Sequence, residues 1–169
     1  APTSTGFTVS SNVKLNGGSG QTYVAYLFAH NNSDGGFGPD ADQDVIKCGS
    51  YTGNATDGKS VTLGFEPQWI LFRNADTSEN WRIFDVMRGI SNPYPDPYLD
   101  ANLSTAETSF ATTNYVNVTP TGFTVGSNPS VNGNNQNIIY MAIRRGPLAE
   151  PESATDVFAI DQENSSAPY

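Results

Sequence analysis

The chain has 169 residues, with 8 Lys and Arg against 17 Asp and Glu, a formal net charge of −9. That balance, with no basic cluster to offset it, argues against a nucleic-acid partner, and no apolar stretch approaches the length of a membrane span. Hydrophobic residues make up 37% and charged residues 15%, so Asn, Ser, Thr, Gly and Gln must build the surface, while 16 Gly and 11 Pro interrupt any run long enough for a good helix.

Taken in chain order, the elements are short strands separated by turns. Gly6-Phe7-Thr8-Val9 reads as a strand with Phe7 and Val9 on one face, followed by an Asn/Gly/Ser loop and the apolar run Tyr23 to Ala29. His30 to Asp44 is a polar loop long enough to be functional. Strands are then predicted over Val45 to Tyr51, Val61 to Phe65, Gln68 to Arg73, Trp81 to Asp85 and Tyr115 to Val118. Between the last two, Arg88 to Asp100 contains Pro93, Pro95 and Pro97 and is expected to leave the sheet, because proline cannot donate to a ladder. The predicted fold class is all-β, an antiparallel sandwich or jelly-roll-like fold with an N-terminal hairpin.

One cassette occurs twice. Residues 5–17 read TGFTVSSNVKLNG and residues 121–133 read TGFTVGSNPSVNG, identical at nine of thirteen positions, and Tyr23-Val24-Ala25 lines up with Tyr140-Met141-Ala142 after a one-residue change in loop length. Each copy reads as a β-hairpin whose second strand, YVAYLFA or IIYMAI, is apolar enough to be buried on both faces. The chain therefore divides into residues 1–30, a hairpin like the end of a preceding repeat unit, residues 31–147, a sandwich, and residues 148–169, an extended tail without periodic pattern. The abrupt start at Ala1-Pro2 suits a piece of something longer.

Several ordered segments carry a family likeness: Ile46-Lys47-Cys48-Gly49-Ser50-Tyr51-Thr52-Gly53-Asn54, Gly64-Phe65-Glu66-Pro67-Gln68-Trp69-Ile70-Leu71, Asn80-Trp81-Arg82-Ile83-Phe84-Asp85 with Arg88-Gly89, and Ala101 to Glu107. With Thr121-Gly122-Phe123 and Ile139 to Ile143 they resemble, over roughly residues 44–147, a domain of unknown function that recurs in virion proteins of tailed phages, particularly those of marine cyanobacteria. The resemblance implies a repeated module, or one following a concanavalin A-like sandwich, in tail fibres or other virion structural proteins, and hence a place on the particle surface. It supplies no catalytic residues.

The residues themselves offer little for catalysis. There is no Gly-x-Ser-x-Gly elbow or His-Glu-x-x-His, the single histidine, His30, begins a Gly/Asn-rich loop, and Cys48 reads as a small core hydrophobe with no histidine to activate it. Asp76, Asp85, Glu66 and Glu107 are scattered, and Asp85 suits a local ion pair with Arg88. Asp40, Asp42 and Asp44 alternate along an extended loop and are the candidate ligands for calcium, the one cofactor the sequence suggests, although the loop lacks the central Gly and terminal Glu of an EF-hand. Phe37, Tyr94 and Tyr98, in loop contexts, are candidates for stacking against a glycan, whereas Trp69 and Trp81, with apolar strand neighbours, read as core. The expected function is that of a non-enzymatic virion structural module acting in assembly or host attachment. Its expected partners are copies of itself, a trimer included, or other virion proteins. A lectin-like receptor-binding domain and a polysaccharide depolymerase are the alternatives.

Overall fold

A computed structural model describes residues 6–12, 15–18, 20–25, 45–90 and 95–146. Eight strands form two antiparallel sheets: β1 (Ile46–Thr52), β2 (Lys59–Thr62), β3 (Pro67–Asn74), β4 (Arg82–Asp85), β5 (Leu99–Asp100), β6 (Val116–Thr119), β7 (Gly122–Val125) and β8 (Asn137–Arg144), with one helical turn, α1 (Pro129–Asn132), between the last two. The larger sheet runs β1-β8-β3-β4-β5 and the smaller β2-β7-β6. The protein is an all-β sandwich, as its composition predicts.

Alternation decides what the sandwich encloses. Ile70 of β3 pairs with Ala142 of β8 and Phe84 of β4, and Phe72 pairs with Tyr140, so these side chains share one face. They meet Val61, Val116, Phe123 and Val125 of the smaller sheet in a single buried cluster. An aromatic relay crosses the interior, with Phe72 at its centre: its ring lies 5.3 Å from Phe123 and 5.7 Å from Phe84, edge to face in both cases. Arg82 closes one end of the core, its guanidinium 4.8 Å from the Tyr98 ring and 5.6 Å from that of Tyr115, and pairs with Glu79 and Asp100.

The second cassette is not a hairpin. Its two strands belong to different sheets: β7 is the middle strand of the smaller one, and β8 lies between β1 and β3 in the larger. The cause is local. Asn128 accepts from the Ser130 amide as an N-cap and Pro129 opens the helical turn, so the chain rises from one layer to the other instead of folding back. The cassette is thus the spine of the sandwich. In the first copy residues 6–10 and 21–25 form no strand and are exposed, so the N-terminal hairpin expected there is not seen among the described residues; Tyr26 to Ala29 and the expected C-terminal tail lie outside them.

The proline-rich excursion has a structural task. Asp96, fully buried between Pro95 and Pro97, accepts from the amides of Tyr115 and Val116 at 2.7 and 3.1 Å and so ties the excursion to the start of β6.

Burial also sets the response to alkali. Desolvation, and then the neighbouring Tyr98, push the Tyr115 phenol from 10.0 up to about 12, and desolvation raises Tyr51 further. The folded state favours the neutral phenols, so their contribution is intact below pH 10 and is lost as the pH rises through about 12. Urea midpoints are expected to hold up to that window and fall within it; midpoints that stay unchanged through it would contradict this.

Candidate functional site

The face of the larger sheet turned away from the core is also apolar. By register, Ile46 of β1, Ile143 of β8 and Trp69 of β3 form one row, while Cys48, Met141, Leu71, Ile83 and Leu99 form the next across all five strands. Every one of these side chains is only partly buried. The IIYMAI run of β8 therefore has the composition of a strand covered on both faces but is fully buried on one, where Ile138, Tyr140 and Ala142 point inward.

At one end of this face an open hollow of about 440 Å³ is lined by Gln68, Trp69, Asp85, Val86, Met87, Arg88 and Ile143. Met87 stands almost fully exposed at its rim. Arg88 holds the rim in place: it pairs with Asp85, as the sequence spacing suggests, and its Nε lies 3.0 Å from Glu107. The structure thus brings Asp85 and Glu107 onto one guanidinium. Glu66 is paired with Arg145 at 2.6 Å, and an oxygen of Asp76 accepts from the Asn137 amide at 2.7 Å. Each carboxylate considered for acid–base work thus has an ionic or hydrogen-bonding partner. Burial pushes the Cys48 thiol up, which lowers its thiolate fraction and leaves it a packing residue on the outer face.

Two expectations need correction. Tyr98 is buried, with Phe84 and Tyr115 packed on its ring at 5.7 and 5.3 Å and Arg82 above it, so it has no face to offer a sugar. It pairs with Thr108 in an isolated bridge that pulls it inward despite the flanking prolines. Trp69 is not core but lines the outer face, and Trp81 carries the Arg73 guanidinium 5.4 Å from its ring. The remaining candidates, Phe37 and Tyr94 for glycan stacking and Asp40, Asp42 and Asp44 for calcium, lie outside the described residues, as does His30. Among the described residues no group of three or more His, Cys, Asp or Glu could hold a metal, and no helix is long and apolar enough to cross a membrane.

What this surface offers chemically is apolar area, bordered at one end by the Asp85–Arg88–Glu107 ion pairs. The signal for it was in the sequence, in apolar residues at both parities of β3 and β8, although the parities alone do not say which face is left open.

Neither the curated proteins nor the solved structures include a match to this chain. The sequence pattern of one family does match, over residues 1–147, a span that takes in both cassettes. The chain belongs to that family, described as Domain of unknown function (DUF7483).

Proposed function

We propose that the chain is a non-enzymatic assembly module of a phage virion, a segment of a tail fibre or surface appendage. The outer apolar face of its larger sheet packs against another protein surface. The observation that carries the assembly role is the row Cys48, Met141, Leu71, Ile83 and Leu99, apolar from edge to edge of a sheet whose other side already holds the core. A continuous apolar patch of this kind marks an interaction surface, because water would otherwise wet it at a cost of roughly 25 cal/mol per Å². Support for the virion setting comes from the resemblance of the segments from Ile46 to Ile143. The partner that best fits this apolar floor is a second copy of the module, with the Arg88 ion pairs at the rim.

Leu71→Glu places a charge in the middle of the floor without touching the core. Self-association at high concentration, followed by sedimentation or light scattering, is expected to weaken by about tenfold or more, since a carboxylate buried in an apolar contact must be desolvated. Thermal unfolding of the isolated variant should barely change. A wild-type chain that stays strictly monomeric at high concentration overturns self-assembly through this face.

A further inference from the structure

The first cassette repeats two backbone hydrogen bonds of the second but not its strands or its burial. The amides of Leu15 and Asn16 donate to the Asn12 carbonyl at 2.9 and 2.8 Å, as those of Val131 and Asn132 donate to Asn128 at 3.1 and 2.8 Å. The same pair of amide-to-carbonyl bonds is therefore already made. The first copy's apolar residues are not covered: Phe7, Val9 and Leu15 are 51%, 41% and 57% exposed, whereas their counterparts Phe123, Val125 and Val131 are fully buried.

Two of the identities kept between the copies are equally telling, because in the second copy their work is against other elements. A Cβ at Gly122, the counterpart of Gly6, would lie 2.1 Å from the Val61 carbonyl oxygen of β2. Asn132, the counterpart of Asn16, accepts from the Asn54 amide and donates to the Thr56 carbonyl in the β1–β2 turn. Local turn formation requires neither contact. These residues fit a β1–β2 connection that the first copy does not meet, since the places beside β1 and β2 in the chain's own two sheets are filled by β8 and β7.

We propose that residues 6–25 are a donated spine, which fills the centre of a further sandwich of this kind, between strands like β1 and β3 in one sheet and like β2 and β6 in the other. The inference rests on the assembly reading and names a second, separate contact for it, one made by strand insertion rather than by face-to-face packing. Two departures define the recipient. Ser10 replaces Gly126, where a Cβ would lie 2.0 Å from the Asn114 carbonyl, so the recipient's chain stands further off there. Gln21 replaces the buried Ile138, so the recipient offers a polar group at that point.

The test extends the full chain at its N-terminus with a second copy of residues 45–119, which places β1 to β6 ahead of the first cassette in the order they hold ahead of the second. Hydrogen exchange then reads both units in one molecule. The added strands are expected to be protected, less than the resident ones because of the two departures, and to exchange at least about tenfold faster when Phe7→Asp is introduced. Added strands that stay as open as an unfolded chain while the resident sandwich keeps its protection overturn the proposal, as does protection indifferent to Phe7→Asp. Self-association through the outer face is read separately with Leu71→Glu, so either inference can fail without the other.

Discussion

Replacing Asn132 with alanine is expected to cost about 3 kcal/mol of folding stability, read as a drop in the urea midpoint with an unchanged slope. The side chain is fully buried, donates to the carbonyls of Thr56 and Gly126 at 2.9 and 2.8 Å, and accepts from the Asn54 amide at 2.8 Å. Alanine removes all three bonds and leaves their partners facing a void too small to hydrate them well. Asn132→Asp is expected to be at least as damaging. It keeps the acceptor for Asn54 but turns a carboxylate oxygen toward two carbonyls that need a donor. An alanine variant as stable as wild type would mean that this junction between the spine and the β1–β2 turn is not what fixes the two layers.

Phe72→Ala is expected to cost more, about 4 kcal/mol. The ring is buried and bridges the sheets, with edge-to-face contacts to Phe123 on one side and Phe84 on the other. Its loss opens a cavity in the middle of the aromatic relay and removes two favourable ring pairs at once. Phe72→Leu keeps most of the volume and should lose about 1.5 kcal/mol, chiefly the ring geometry. For a domain whose net stability is about 5–15 kcal/mol, the alanine variant should be visibly less populated at physiological temperature, and calorimetry of the pair would separate volume from ring contacts.

These effects explain which parts of the molecule could be read in advance. The strands at Ile46–Thr52, Pro67–Asn74 and Asn137–Arg144 were legible because β-branched and aromatic residues recur in each between turn signals. The hairpin reading of the cassette failed at Asn128-Pro129. Asn and Gly are the residues of a tight β-turn, but an Asn followed by Pro is also a helix entry, and here the capping geometry wins. Tyr98 was misplaced for a related reason. Three prolines signal a departure from the sheet, but Asp96 anchors the departed segment back on β6 and carries the neighbouring ring into the core. Trp69 shows the opposite limit. In a strand reading Trp-Ile-Leu-Phe both faces look alike, and only the pairing with Ile143 and Asp85 shows that the tryptophan faces out. The apolar outer face was therefore present in composition and absent as a location.

The position of the spine late in the chain also governs how the molecule comes together in time. β1 finds its partner only when residues 137–143 exist, and β2 pairs with no strand before β7. The pairings β1–β8, β3–β8 and β2–β7 are thus long-range, so folding should fall in the slow, milliseconds-to-seconds class of β proteins and finish late on the ribosome. Until then the earlier strands wait with open edges. A growing chain of this type is most vulnerable to mispairing just before β8 emerges, and slowing synthesis at that point should lower its yield more than slowing it anywhere after residue 144.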